Sequence, residues 1–145
     1  MNKDLKGKKI LLIGGAGFIG HNLALKLKAA EAEVFITDGL QVNNLVSLYN
    51  HQDRPAERNL YLSILNQRFN LLDYNEIPLY VDDARDYFRL DKIFRKIKPN
   101  VVILLAAVSH ASRSNKDPFS TFDHSFRTLE NALDCSRNHS IDHFI

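Results

Sequence analysis

The stretch that most constrains this chain is Gly14-Gly15-Ala16-Gly17-Phe18-Ile19-Gly20, because of what stands on either side of it. Before it, Lys9–Ile13 (KILLI) is a short β-rich run bounded by glycines, which reads as a strand buried on both faces. After it, Leu23, Leu27 and Ala30 recur at helical spacing, so Phe18 to Ala30 reads as a helix. Val34 to Thr37 forms a second short strand that ends at Asp38. Strand, helix and strand within 30 residues make a βαβ unit, whose crossover is right-handed.

A glycine-rich turn between a strand and a helix brings backbone N–H groups to the positive end of the helix dipole. That arrangement holds a pyrophosphate. The glycines serve a tight turn, a close approach to phosphate and close helix-to-strand packing. Asp38 lies 18 residues after Gly20, at the end of the second strand. A carboxylate there accepts hydrogen bonds from both ribose hydroxyls of an adenosine and repels a 2′-phosphate, so the expected cofactor is NAD. No Arg or Lys stands between Asp38 and Arg54 to compensate a 2′-phosphate. The simpler expectation for Asp38 is that it caps a loop.

The rest of the chain continues the alternation. Residues 39–77 form a helical excursion, with a short helix suggested by Leu45, Leu48 and Tyr49. A longer one follows, on Leu60, Ile64, Leu65, Phe69 and Leu72, with Pro55 near its start. Pro78 to Val81 reads as the third strand and Tyr87 to Ile97 as an amphipathic helix stopped by Pro99. Val101 to Ala107 is the fourth and most apolar strand. Pro118 to Asn138 is a helix with Phe122, Phe126, Leu129 and Leu133 on one face, and residues 143–145 begin a fifth strand. Near-continuous apolar strands alternating with helices predict an α/β fold, a doubly wound parallel sheet of order 3-2-1-4-5.

Charge and cysteine usage narrow the function classes. Nineteen Lys and Arg against 17 Asp and Glu leave +2, which lacks the concentrated basic face of a nucleic-acid binder. No apolar run is long enough for a transmembrane helix, so no membrane partner is expected. The single cysteine, Cys135, excludes an internal disulfide framework and suits a cytoplasmic protein. Cys135 is expected in the core and His21 at the surface. Six histidines show no ligand-type spacing, so no metal site is predicted.

The motifs together resemble the extended short-chain dehydrogenase/reductases, the NAD-dependent nucleotide-sugar epimerases and dehydratases. Gly14, Gly17, Phe18, Ile19 and Gly20 fit that family's G-x-x-G-x-x-G with its Phe-Ile pair. Asp83-Ala84-Arg85-Asp86 resembles the D-x-R-D run that faces the adenine. Lys98 to Ala107 resembles K-P-D-x-V-x-H-L-A-A, whose Leu105-Ala106-Ala107 part runs beside the cofactor. The resemblance implies a Rossmann-type NAD-binding domain over 1–145, with Asp38, Gly39 and Leu40 at the adenosine and Asp83 and Ala84 at the adenine. It places Ser109, His110 and His124 on the substrate side and implies a homodimer paired through helix 118–138.

This chain departs from the pattern at Leu104, Asn100, His124 and Arg127, which replace the family's His, Asp, Asn and Gly. The family's catalytic pair, Tyr-x-x-x-Lys, is absent: the fourth residues after Tyr49, Tyr61, Tyr74, Tyr80 and Tyr87 are Asp53, Leu65, Pro78, Ala84 and Asp91. In the family that pair follows the fifth strand, so no catalytic residue is expected in this chain, which reads as truncated before the chemistry. The implied activity of a complete protein is transient oxidation of a nucleotide-sugar hydroxyl by bound NAD, followed by epimerisation or elimination. The competing expectation is a non-catalytic NAD-binding sensor or assembly module complete at this length.

Overall fold

A computed structural model describes residues 5–41, 55–108 and 115–145. Its first strand, β1 (Lys9–Ile13), leads through the glycine turn into α1 (Phe18–Ala29) and then β2 (Glu33–Asp38). Next come α2 (Pro55–Tyr74), β3 (Leu79–Val81), α3 (Tyr87–Ile97) and β4 (Val101–Leu104). The last stretch is α4 (Pro118–Phe122), a π-helical turn (Asp123–Arg127), α5 (Thr128–Asn138) and β5 (His143–Phe144). The strands form one parallel sheet in the order β3-β2-β1-β4-β5, as the alternation predicts.

β1 is the centre of this sheet. Leu11 pairs with Phe35 of β2 on one side and Val102 of β4 on the other. Successive side chains of a strand point to opposite faces, so β1 supplies both halves of the core. Leu11 and Ile13 pack with Leu90, Ile93, Phe94 and Ile97 of α3 and with Ala132 and Cys135 of α5. Ile10 and Leu12 pack with Ala24 of α1, Leu72 of α2 and the strand residues Val34 and Ile36. Each fully buried Leu, Ile or Phe contributes about 1.5–3 kcal/mol over its exposed state, which makes β1 the most stabilising strand.

α3 follows its sequence pattern closely. Its buried residues, Leu90, Ile93, Phe94 and Ile97, recur at the three- and four-residue spacing of one helix face. Asp86 caps its start by accepting from the Arg89 N–H, and Lys98 ends it in the left-handed region before Pro99.

Four details differ from the sequence reading. β4 ends at Leu104 rather than Ala107, because the N–H groups of Leu105 and Ala106 both turn to the Ile13 carbonyl, at 2.8 and 3.1 Å. α2 buries Leu62, Leu65, Arg68 and Leu72, whereas Leu60 and Ile64 face outward. The helix over 118–138 contains a π-helical turn, and its bulky apolar face points away from the sheet. The small residues Thr128, Ala132, Cys135 and Ser136 are buried instead. His21 is buried, since its Nδ1–H reaches back one turn to the Gly17 carbonyl at 3.0 Å. Cys135 lies in the core as expected, and burial pushes its thiol up to about 11. The short helix predicted around Leu45, Leu48 and Tyr49 lies outside the described residues.

Candidate functional site

The carboxyl ends of β1, β2, β3 and β4 meet on one edge of the sheet, where open parallel sheets receive ligands. The turn after β1 is built by close backbone packing. Gly14 has φ +80°, and a Cβ on it would lie 2.5 Å from the Ala106 nitrogen and 2.7 Å from the Ala106 Cα. The loop after β4 therefore crosses directly over the loop after β1. The Gly14 N–H donates to the Thr37 carbonyl at 2.7 Å, which ties the turn to β2 as well.

Gly17 differs in kind. It precedes α1 with an extended backbone, and a Cβ there would meet only the Gly14 carbonyl at 3.6 Å. The missing side chain leaves an open cradle rather than relieving a clash. No side chain caps the α1 N-terminus among the described residues, and no acidic residue stands in its first turn. The first N–H groups of a helix lack intrahelical partners, and here the positive dipole end faces that cradle. Phe18 and Ile19 begin the helix with exposed side chains, at 75% and 68% exposure.

Asp38 holds the far side of the turn. One carboxylate oxygen accepts from the Ala16 N–H at 2.9 Å and the other from the Leu40 N–H at 2.8 Å. Burial pushes this carboxyl above the usual carboxylate range, against the pull of those two donors and of Arg68. The loop-capping role expected of Asp38 is present, and it includes a direct bond to the glycine turn. Each oxygen still has a further acceptor position. A cation does reach this corner through the fold, although none is close in sequence. Arg68 of α2 donates from Nη1 to the Ala16 carbonyl at 2.9 Å.

Beyond β3, Asp83 faces the same edge. Its partners are the Arg85 guanidinium, with Nη2 at 2.6 Å and Nε at 3.1 Å, and the Gln41 side chain. Arg85 Nη1 continues to Asp123 at 2.7 Å, and Asp123 accepts from Arg127 Nε at 2.8 Å. Asn131 of α5 donates to the carbonyls of Ala84 and Arg85 at 3.0 and 2.9 Å, pinning that loop. His124 stands beside this chain of charges, its Nε2 3.3 Å from Arg85 Nη1. The substituted positions His124 and Arg127 thus belong to a charged network on the π-helical turn.

The Arg85 guanidinium holds the Asp83 carboxyl below the usual carboxylate range. A carboxylate lowered on folding stabilises the protein above its unfolded value, about 3.9, and loses that contribution as pH falls through the folded value. Arg85→Met is expected to lower the melting temperature at pH 7 by a small amount. The Asp83–Arg85 contact is partly exposed and so contributes on the order of 1 kcal/mol or less. In circular-dichroism melts the gap from wild type should hold down to the unfolded value, about 3.9, and close as the pH falls further, through the lowered folded value. A gap that stays constant with pH would show that the pair is neutral to stability.

A cavity of about 240 Å³ lies beside the loop after β4, lined by Leu104, Leu105, Ala106, Ala107, Ser125, Phe126 and Leu129. Ser125 Oγ accepts from the Val108 N–H at 3.2 Å and holds that loop to the π-helical turn. The edge thus brings together Gly14, Gly17, Gly20, Asp38, Gly39, Leu40, Asp83, Ala84, Leu105, Ala106 and Ala107. Ser109 and His110 lie outside the described residues. Sequence reasoning missed Arg68, Asp123, Ser125 and Asn131. Only Arg68 left a signal, a charge on the apolar stripe with Leu62, Leu65 and Leu72.

Residues 10–145 match the model of the NAD dependent epimerase/dehydratase family. Protein CapI of Staphylococcus aureus is 31% identical, over 94% of this chain and 36% of its own length. A dTDP-D-glucose 4,6-dehydratase of Dictyostelium discoideum is 28% identical, over 98% of this chain and 29% of its own. The fold is similar to that of the Thermus thermophilus UDP-glucose 4-epimerase solved with NAD. The TM-score is 0.70 at 24% identity, covering 94% of this chain and 36% of that one. The chain spans about a third of the length of the curated relatives it matches.

Proposed function

The chain belongs to the NAD dependent epimerase/dehydratase family, and we propose that residues 1–145 are the NAD-binding domain of a nucleotide-sugar epimerase or dehydratase. The observation that carries this reading is the pairing of Asp38 with the glycine turn. The carboxylate that would accept the adenosine ribose hydroxyls also fixes Ala16, one residue before the open cradle at Gly17.

In this reading Gly14 makes the tight turn and Gly20 the close packing of α1 on Gly15, while Gly17, Phe18 and Ile19 offer backbone N–H groups and the α1 dipole to the diphosphate. Asp38, Gly39 and Leu40 hold the adenosine ribose. Asp83 and Ala84 face the adenine, while Leu105, Ala106 and Ala107 run beside the rest of the cofactor. By the family resemblance His124 is assigned to the substrate side, as are Ser109 and His110, which lie outside the described residues. Bound NAD supplies a hydride acceptor for a sugar hydroxyl. The residues named here bind and orient it, and the proton-transfer residues are not among them.

The partner of the complete protein is a nucleotide sugar, and its compartment the cytoplasm. Among the described residues no helix is long and apolar enough to cross a membrane. A homodimer through helix 118–138 is supported by an exposed apolar stripe of Phe119, Phe122, Phe126 and Leu133, in which Phe122 and Phe126 stack at 4.8 Å.

Titration calorimetry on this chain tests the cofactor reading. NAD is expected to bind at least about tenfold more tightly than NADP, because a 2′-phosphate would face the Asp38 carboxylate. A chain that is folded by circular dichroism and binds neither dinucleotide, or both equally, would overturn it.

A further inference from the structure

α2 carries a charge where its own pattern calls for an apolar side chain. Arg68 lies on the buried face with Leu62, Leu65 and Leu72 and is only 8% exposed. A guanidinium in such a place is costly unless it is paired and hydrogen-bonded. One contact it makes is with the glycine turn, where Nη1 donates to the Ala16 carbonyl at 2.9 Å; burial works against its charge, and Tyr61 and the Asp38 carboxylate favour it. Asp38 meanwhile accepts from the Ala16 N–H at 2.9 Å. Ala16 is therefore gripped at both of its backbone groups, by two side chains of opposite charge from two different elements.

That grip sets the direction of the next group. In a planar trans peptide the carbonyl and the following N–H point opposite ways. With the Ala16 oxygen seated on Arg68, the Gly17 N–H is turned away from α2. Gly17 opens onto the cradle before α1, where an added Cβ would meet only the Gly14 carbonyl at 3.6 Å.

We infer that Arg68 is a positioning residue for a nucleotide diphosphate: by fixing the Ala16 carbonyl it aims the Gly17 N–H into the cradle. This rests on the cofactor reading above. Arg68 bonds Ala16 directly and reaches Asp38 only through its charge, so it affects the phosphate-bearing part of a ligand far more than the nucleoside part. A residue that merely filled the core would affect both parts alike, through stability.

The test compares wild type with Arg68→Met, using ADP and adenosine as calorimetric probes and amide hydrogen exchange of the turn in the free protein. Arg68→Met should weaken ADP about tenfold, leave adenosine within about twofold and speed exchange over residues 14–20. One well-aimed hydrogen bond to a charged group is of that size. If Met at 68 fails to fold, Arg68→Lys keeps the charge but shortens the reach to the carbonyl, and the same split is expected in weaker form. Equal losses for ADP and adenosine, or ADP binding untouched by both variants, would overturn the role of Arg68 alone. A wild-type chain that binds no ADP and no NAD overturns the cofactor reading instead. Exchange of the turn then still decides whether Arg68 anchors it: faster exchange in the variant supports the anchor, unchanged exchange removes it.

Discussion

Gly14→Ala should be among the most damaging single substitutions in this chain, costing about 4 kcal/mol and roughly 10 °C of melting temperature. Two effects add. At φ +80° an L-residue is strained by about 1–2 kcal/mol. The new methyl would also stand 2.5–2.8 Å from the nitrogen, Cα and Cβ of Ala106, so backbone must move rather than a side-chain tip. The groups that would have to yield are bonded. Gly14 N–H donates to Thr37, and the N–H groups of Leu105 and Ala106 share the Ile13 carbonyl. Loss of one such partly buried bond adds about 1–3 kcal/mol. Gly7 provides an internal control, because it has φ +70° but open space where its Cβ would go. Gly7→Ala should therefore cost only the strain. Thermal melts of the two variants read the difference directly, and a Gly14→Ala melt no lower than that of Gly7→Ala would remove the collision from the account.

Asp38→Ala should weaken NAD on the order of 100-fold while changing NADP by no more than about threefold. The carboxylate is a charged acceptor for two ribose hydroxyls in the proposed site, and bonds to charged groups contribute about 1.5–3 kcal/mol each. A factor of 100 corresponds to about 2.7 kcal/mol, just under the sum of about 3–6 kcal/mol for two such bonds. For NADP the same substitution removes a repulsion and exposes the Arg68 guanidinium, two gains that offset the lost anchor. The variant also leaves the N–H groups of Ala16 and Leu40 without their acceptor, so a melting temperature lower by a few degrees should accompany the change. Calorimetry with both dinucleotides separates the contributions. Parallel losses for NAD and NADP would mean that Asp38 acts only as a brace for the turn.

What was legible in the sequence was local. The order β1, glycine turn, α1, β2, Asp38 is set by residues whose constraints act on near neighbours, and the structure reproduces it with the expected strand order. The same holds for α3, where a single apolar stripe has only one way to face the sheet. Legibility fails where two stripes compete. α2 is rich in leucine: the stripe read from Leu60, Ile64, Leu65, Phe69 and Leu72 is right at Leu65 and Leu72, but only docking against the sheet decides that Leu62 is buried and Leu60 and Ile64 are not. In α5 the small face wins because a helix over the cluster of Leu11, Phe94 and Val102 has to approach closely, leaving Leu133 outside; Phe122 of α4 and Phe126 of the π-helical turn are exposed as well. The run VVILLAA is apolar to its end. Its last residues turn to the carbonyl of Ile13, far away in sequence, which no window of neighbours contains. Arg68 shows in the sequence only as a charge out of place on an apolar stripe, since its partner, Ala16, stands 52 residues away.

The crossing of the two loops at Gly14 and Ala106 has a kinetic consequence. β1 and β2 can pair early, because a single helix separates them. The Ile13 carbonyl, by contrast, receives its two donors from residues 105 and 106, so that contact closes a loop of roughly ninety residues. Contacts of such long sequence separation form late and slow a chain's folding, because the entropy of loop closure is spent before they reward it. The mouth of the turn is thus finished only when β4 has docked. A ligand that needs this geometry selects chains whose sheet is already assembled, and its binding energy is drawn entirely into the stability of the completed domain rather than into any half-built βαβ unit.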